Sequence, residues 1–252
     1  MSETKDKTFD FSDFIKYAND IPNIKKSDRA WAWYDCQTAF NNENQLDKKE
    51  IEYRAKELFI YLANWGMVAR GSFVMQHTWR ILVDVVKEVS KSDYNFLRST
   101  NPIEKKELES RVATIHSLYN KIAKCLFKYH PNYPGNEKDD NKITKMAISK
   151  VSSRLITKIL LGTTGSIVAY DNNVLNLISY FRQLKGAPKI TGSGSSKKSI
   201  GSMYSFYFQY KEAFDNTLQI INTDTTHPEW TIMKLIDFCL WSYWEEYGET
   251  KK

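Results

Sequence analysis

The sequence is sparing with the residues that cross-link or punctuate a chain. Of 252 residues, three are cysteine, six proline and ten glycine. Cys36, Cys125 and Cys239 are odd in number, lie far apart and form no CxxC pair. That excludes a disulfide framework and a thiolate zinc site, and leaves reduced, buried thiols as the expectation. No apolar run approaches the ~18 residues of a membrane span, and no N-terminal stretch resembles a signal peptide. The expected setting is therefore the cytoplasm, with no membrane partner. The four histidines, His77, His116, His130 and His227, are scattered outside any HExxH or His-x-x-x-His pattern, so no metal and no cofactor is implied. A Walker A motif and a GxGxxG turn are also missing. GSGSSKK at 192–198 lacks the GxxxxGK[ST] spacing and follows no predicted strand, so it reads as a flexible linker. Without an Asn-Gly turn or a sustained period-2 run, nothing signals a sheet.

What is plentiful is apolar and aromatic material. Hydrophobic residues make up 42% and aromatics 14% of the chain, enough for a core and against bulk disorder. Fifteen tyrosines and seven tryptophans mean that many core rings carry a polar tip needing a partner. The abundance of Lys, Asn and Ile fits a low-GC bacterial or phage coding sequence.

The apolar spacing predicts an all-α fold, a compact bundle of about eight helices. Thr8–Asn19 reads as a short opener. Ser27 is the expected N-cap of a helix to Phe40, and Asp47 that of a helix carrying Ile51, Ala55, Leu58 and Leu62. Phe73–Val89 is ambiguous, because its ILVDVVKEV run is β-branched. Asn101-Pro102 marks a boundary before a long helix through Val112, Ile115, Tyr119 and Leu126. Residues 130–141 form a loop. Further helices are expected through Ile148–Ile159, ending near Gly162, through Val174–Leu184, and through Met203–Ile221. A last, buried helix should start at Pro228. The loop Gly186–Ser199 is expected to be mobile. The natural division is an N-terminal lobe, 1–130, and a C-terminal lobe, 142–252, or one continuous domain.

Charge is unevenly spread. The net +6 of the chain hides a segment, 142–198, that holds ten basic residues and a single acid, Asp171. A local excess of this kind makes a directed field. Of these cations, Arg154, Lys158, Arg182, Lys185, Lys189, Lys197 and Lys198 are the expected phosphate contacts. The aromatics Tyr204, Phe206, Tyr207, Phe208 and Tyr210 follow at once, a mixture suited to stacking on bases beside neutralised phosphates.

Two local patterns resemble known families. Arg70 and His77, and Arg111 and His116, repeat the Arg-x(4–6)-His spacing of the all-helical HEPN ribonucleases, with Gly71 or Val112 where that superfamily usually has a polar residue. The resemblance would give Arg70 and His77 catalytic roles. The stretch ITKILLGTTGSIVAYDNNVLNLISYF, 156–181, resembles the distal part of helix-hairpin-helix DNA glycosylases. Thr157-Lys158 there opens an apolar helix, and Ala169-Tyr170-Asp171 with Val174 starts the next. The likeness implies that Asp171 stands in the place of the catalytic aspartate, although the LPGVG hairpin is missing before the lysine. The alternative is that Asp171 simply caps the helix through Val174. LANWGMVARGS and TKILLGTTGSIVAYD also resemble a family of bacterial helical proteins to which no activity attaches.

The sequence-based expectation is a helical nucleic-acid-binding protein without a demonstrable catalytic site, set in bacterial genome maintenance or phage defence. A non-enzymatic subunit meeting an acidic protein partner is the alternative. A HEPN-like nuclease or diverged glycosylase comes third.

Overall fold

A computed structural model describes residues 8–41, 46–69, 72–223 and 228–248. Among these residues the fold is all-α. Eleven α-helices run in chain order, joined in places by 3-10 segments of three to eight residues: α1 Phe11–Ile15, α2 Trp31–Asn41, α3 Lys48–Asn64, α4 Val83–Val89, α5 Leu108–Phe127, α6 Asp140–Lys150, α7 Ser153–Thr164, α8 Asn172–Phe181, α9 Lys197–Gln209, α10 Lys211–Ile221 and α11 Ile232–Gly248. The only extended pairing among them is an isolated parallel bridge between Thr8 and Lys185.

The count exceeds the expected eight because the ambiguous Phe73–Val89 stretch holds a helix, α4, and two of the expected helices each break in two. The helix foreseen through Ile148–Ile159 is interrupted where Val151 and Ser152 turn extended, which separates α6 from α7. The aromatic stretch breaks at Tyr210, which separates α9 from α10. Ser27 caps nothing. Asp28 instead accepts the Lys25 N–H and closes a turn, and α2 starts at Trp31. Asp47 does cap α3, accepting the Glu50 N–H at 2.8 Å. The β-branched run is helical because Val85, Val86 and Val89 all face the core, where packing overrides strand preference. Cys36 and Cys239 are buried free thiols, pushed up by burial, and Cys125 is half-buried.

Residues from both halves of the chain contribute to one cluster of buried side chains. Phe9, Phe11 and Phe14 pack on Phe181, Phe206, Tyr210 and Phe214. At the centre lies α7, whose middle and C-terminal turns are buried all round. A buried helix end must find partners for its last carbonyls. Trp33 Nε1 donates to Leu161 O at 3.1 Å, Gln37 Nε2 to Gly162 O at 2.7 Å, and Arg98 Nε to Thr163 O at 3.1 Å. The helix runs past Gly162, whose missing Cβ leaves room for the Tyr61 ring, and is closed by Gly165 at φ +59°.

The Gly186–Ser199 segment is packed rather than free-standing. Ile190 is buried, and Gly194 sits against Tyr170 and Thr157 with its N–H donated to Ser199 Oγ at 2.7 Å.

Candidate functional site

The site grows from the two ends of the α7–α8 connection. Lys158 projects from α7 and is only 3% exposed. One residue earlier, Thr157 Oγ1 accepts the Tyr170 N–H at 3.1 Å, tying the connection back onto the helix. The Ala169 N–H is taken by Asp237 Oδ1 of α11 at 2.8 Å. These two bonds fix the Ala169–Asp171 turn. Asp171 then caps α8, accepting the Val174 N–H, and its second oxygen lies 3.1 Å from Lys158 Nζ. Capping and ion pairing are therefore done by one side chain, and the capping role expected of Asp171 does not compete with the pairing.

A second ion pair lies beside the first. Lys234 and Asp237, both buried on α11, approach to 3.5 Å. The Lys234 ammonium is 5.3 Å from the Trp33 ring, 5.3 Å from Trp230 and 5.7 Å from Trp65. Burial pushes the Lys234 amine below the usual lysine range, with the Lys158 charge adding to the effect and Asp237 opposing it. Burial likewise pushes the Asp237 carboxyl up, against the pull of Lys234 and Lys158.

The Lys158–Asp171 pair lines a pocket of about 380 Å³, with Trp65, Trp241, Arg29 and Arg154 around it. Lys158 Nζ is 4.9 Å from the Trp65 ring and the Arg29 guanidinium 4.8 Å, while Trp241 meets Trp65 edge to face at 6.1 Å. The buried Trp65 Nε1 finds no acceptor among the described residues. Arg154, half-buried at the rim, is hydrogen-bonded to the Asn172 side chain. The pocket thus combines a buried amine, the carboxylates of Asp171 and Glu245, two indoles and two guanidiniums.

The structure brings some of the expected residues together and separates others. Lys158 is not a surface phosphate contact, because its ammonium is spent inside the fold on Asp171. Arg182, Lys185, Lys189, Lys197 and Lys198 are exposed, and no carboxylate pairs with them among the described residues. Arg182 and Lys189 share a second pocket, of about 590 Å³, with Ser202 and Ser205. Lys197 and Lys198 occupy the first turn of α9, where the helix dipole disfavours cations. Tyr204, Phe206 and Tyr207 are buried, and Tyr210 stacks on Phe11 at 4.0 Å. The aromatic run therefore belongs to the core and offers no open stacking platform.

Arg70 and His227 lie outside the described residues, so the Arg70–His77 pair has no geometry to report. His77 is half-buried against Phe73 and Tyr129. Arg111 is buried and donates to Phe96 O at 2.9 Å, which commits it to the fold. His116 is pushed down by partial burial and by Lys197.

Sequence reasoning missed Lys234, Asp237, Trp65, Trp241 and Arg29. One signal was present: α11 is apolar on most sides yet carries Lys234 and Asp237 at i,i+3 spacing. Charges in a buried helix need partners and often mark a site.

Fold and site together define an all-α protein with a paired lysine and aspartate on the floor of an indole-walled pocket. No family model matches the chain, and comparisons with curated proteins and with solved structures gave no match.

Proposed function

We propose that this chain is a nucleic-acid-binding protein that reacts with a nucleotide drawn out of its strand, using Lys158 and Asp171 in the manner of helix-hairpin-helix DNA glycosylases. The observation that carries the reading is the 3.1 Å contact between Lys158 Nζ and Asp171 Oδ2 at an indole-walled pocket. Both residues belong to the stretch on which the sequence resemblance rests, where thirteen positions of chain separate them. Exposed, carboxylate-free Arg182, Lys185, Lys189, Lys197 and Lys198 supply the phosphate contacts. Bacterial genome maintenance or phage defence is the setting this reading suits.

The chemistry follows from the pair. A nucleotide flipped from its stack costs a few kcal/mol, least where the base is damaged or unpaired. The indoles of Trp65 and Trp241 offer faces for an extruded base. As the bond between C1′ and the base nitrogen breaks, its electron pair leaves with the base, which takes a proton from the Lys158 ammonium. The neutral amine then bonds to C1′, while the Asp171 carboxylate stabilises the positive charge that develops on the sugar. The C1′–O4′ bond then breaks, its electron pair leaving with O4′, which takes a proton from the new C–N nitrogen, and the product is a ring-opened sugar iminium linked to Lys158. On an abasic site the same amine condenses with the C1′ aldehyde and releases water.

Oligonucleotides carrying an abasic site or a deaminated or oxidised base are incubated with the protein and sodium borohydride. A covalent protein–DNA adduct that maps to Lys158 and disappears in K158A and D171N is the expected result. Salt-dependent binding without any adduct would leave a nucleic-acid-binding protein and remove the chemistry. Absence of binding at low salt would remove the whole reading in favour of an acidic protein partner.

A further inference from the structure

A strap of chain, residues 186–194, leaves the C-terminal end of α8 and returns to the side of α9. Both of its ends are fastened. At the start, the Phe9 N–H donates to Lys185 O at 2.9 Å, beside the Thr8–Lys185 bridge. At the finish, the Thr191 N–H donates to Ser202 Oγ at 3.0 Å and the Gly194 N–H to Ser199 Oγ at 2.7 Å. Gly186 at φ +77° and Gly192 at φ +74° make the turns on either side of the span between, a conformation that glycine adopts without strain. Together with α8 and α9 this span walls the cavity of about 590 Å³. Cavities of roughly 300–1,000 Å³ are the class that holds small organic ligands.

The lining is divided in character. Leu184, Pro188 and Ile190 give an apolar side, Arg182 and Lys189 bring two cations, and no carboxylate is among the described residues that line it. The serine hydroxyls are occupied by the fold: Ser202 Oγ donates to Ser199 O and Ser205 Oγ to Gly201 O. The two cations have no carboxylate partner among the described residues. A bare anion would leave the apolar side uncovered, and an apolar ligand would leave both charges without a counter-ion. A ligand with a ring at one end and an anionic group at the other satisfies both sides at once.

The cavity is also connected to the Lys158–Asp171 pocket. Asn172, Asn176, Ser179 and Gln183 are exposed at i, i+4, i+7 and i+11, so they share one face of α8 and its C-terminal extension. That face runs from Asn172, which lines the first pocket, to Arg182, which lines the second, about 15 Å at 1.5 Å per residue. No acid occurs in the chain between Asp171 and Glu212. A phosphate backbone laid along α8 meets amides, a hydroxyl and cations there, and no like charge.

We propose that the cavity beyond α8 is a binding site for a nucleoside phosphate. The phosphate lies with Arg182 and Lys189, and the base packs on Leu184, Pro188 and Ile190. The site deepens the reading of Arg182 and Lys189 as phosphate contacts and does not depend on the chemistry at Lys158. Its nucleotide comes either free from solution or as part of a strand that follows α8.

Calorimetric titration at low salt with deoxyadenosine 5′-phosphate tests the site. Saturable one-site binding is expected, with inorganic phosphate and deoxyadenosine each at least about tenfold weaker. The R182Q/K189Q double variant removes the charges, and S205W fills the cavity from an exposed position on α9. Each should weaken nucleotide binding at least about tenfold while circular dichroism shows the fold intact. No saturable binding to the wild type, binding that the folded variants retain, or inorganic phosphate binding as tightly as the nucleotide would each overturn the proposal. Should one variant fail to fold, the other decides. Oligodeoxyadenylates of increasing length then identify the source. Affinity that climbs with length and falls in the same variants supports the site and assigns it to a strand along α8. Affinity that stays level supports the site and assigns it to a free nucleotide. Nucleotide binding without a borohydride adduct on abasic DNA keeps this site and removes the chemistry at Lys158. An adduct without nucleotide binding does the reverse.

Discussion

The Lys158–Asp171 pair should be strongly asymmetric in its effect on stability. The Lys158 side chain is 4% exposed and that of Asp171 17%. In D171N the helix cap survives, because Asn caps as well as Asp, but a buried ammonium loses the carboxylate bonded to it. Removing one partner of a buried pair costs about 3–5 kcal/mol. An upper bound comes from proton loss: an isolated amine escapes its penalty by deprotonating, which at pH 7 costs roughly 4.6 kcal/mol from the unfolded lysine value. K158M keeps most of the apolar stem against Trp65 and leaves Asp171 bonded to the Val174 N–H and partly hydrated, so its cost should be about 1 kcal/mol. The sign with pH also follows. Where the folded D171N amine is neutral and the unfolded one charged, the unfolded state binds more protons, so stability rises with pH. The D171N deficit should therefore shrink between pH 7 and pH 10, by up to about 1.4 kcal/mol per unit. Urea unfolding followed by circular dichroism at several pH values reads all three quantities. Equal costs for the two variants, or a D171N deficit that does not move with pH, would refute the claim that this ion pair is buried.

Other outcomes test separate parts of the structure. G194A should lower the melting temperature by roughly 2–10 °C in a scanning measurement, since its Cβ would lie 2.6 Å from the Tyr170 ring at a φ of +78°. At Glu88, burial favours the neutral acid, but hydrogen bonds from Lys91, Lys121 and Tyr94 outweigh it and hold the carboxyl below its ordinary range. Its contribution is thus present above the unfolded carboxylate value and lost as pH falls, so E88Q should cost about 1 kcal/mol at pH 7 and close on the wild type in acid. Replacing Lys185, Lys189, Lys197 and Lys198 together by alanine should reduce the slope of log K against log salt by roughly 3.6 for duplex DNA, with the fold intact by circular dichroism.

Much of the fold can be read from the sequence, because helical periodicity survives wherever one face is buried. The long α5, the Asp47 cap and the Asp171 cap are local features with local causes. The breaks at Val151 and Tyr210 are harder to read: both residues fall at helical spacing within patterns that a helix could have continued. The site was half legible. Asp171 and Lys158 stood out by pattern, yet charge counting sent Lys158 to the surface, since composition cannot distinguish a solvated lysine from one facing a carboxylate thirteen residues on. Lys234 and Asp237 become partners of that pair only when α11 packs on α8, a relation that no spacing encodes. The aromatics after the basic loop misled for a related reason, because a stretch rich in rings looks the same whether it lines a groove or fills an interior.

The packing of Phe9, Phe11 and Phe14 among rings from Phe181, Phe206 and Phe214 has a consequence for biosynthesis. The opening residues emerge from the ribosome long before their docking partners, so they remain without their final contacts through most of translation. A nascent chain released short of α10 would present these phenylalanines to chaperones and proteases. Synthesis of α8 to α10 is thus the step at which these three phenylalanines acquire a place.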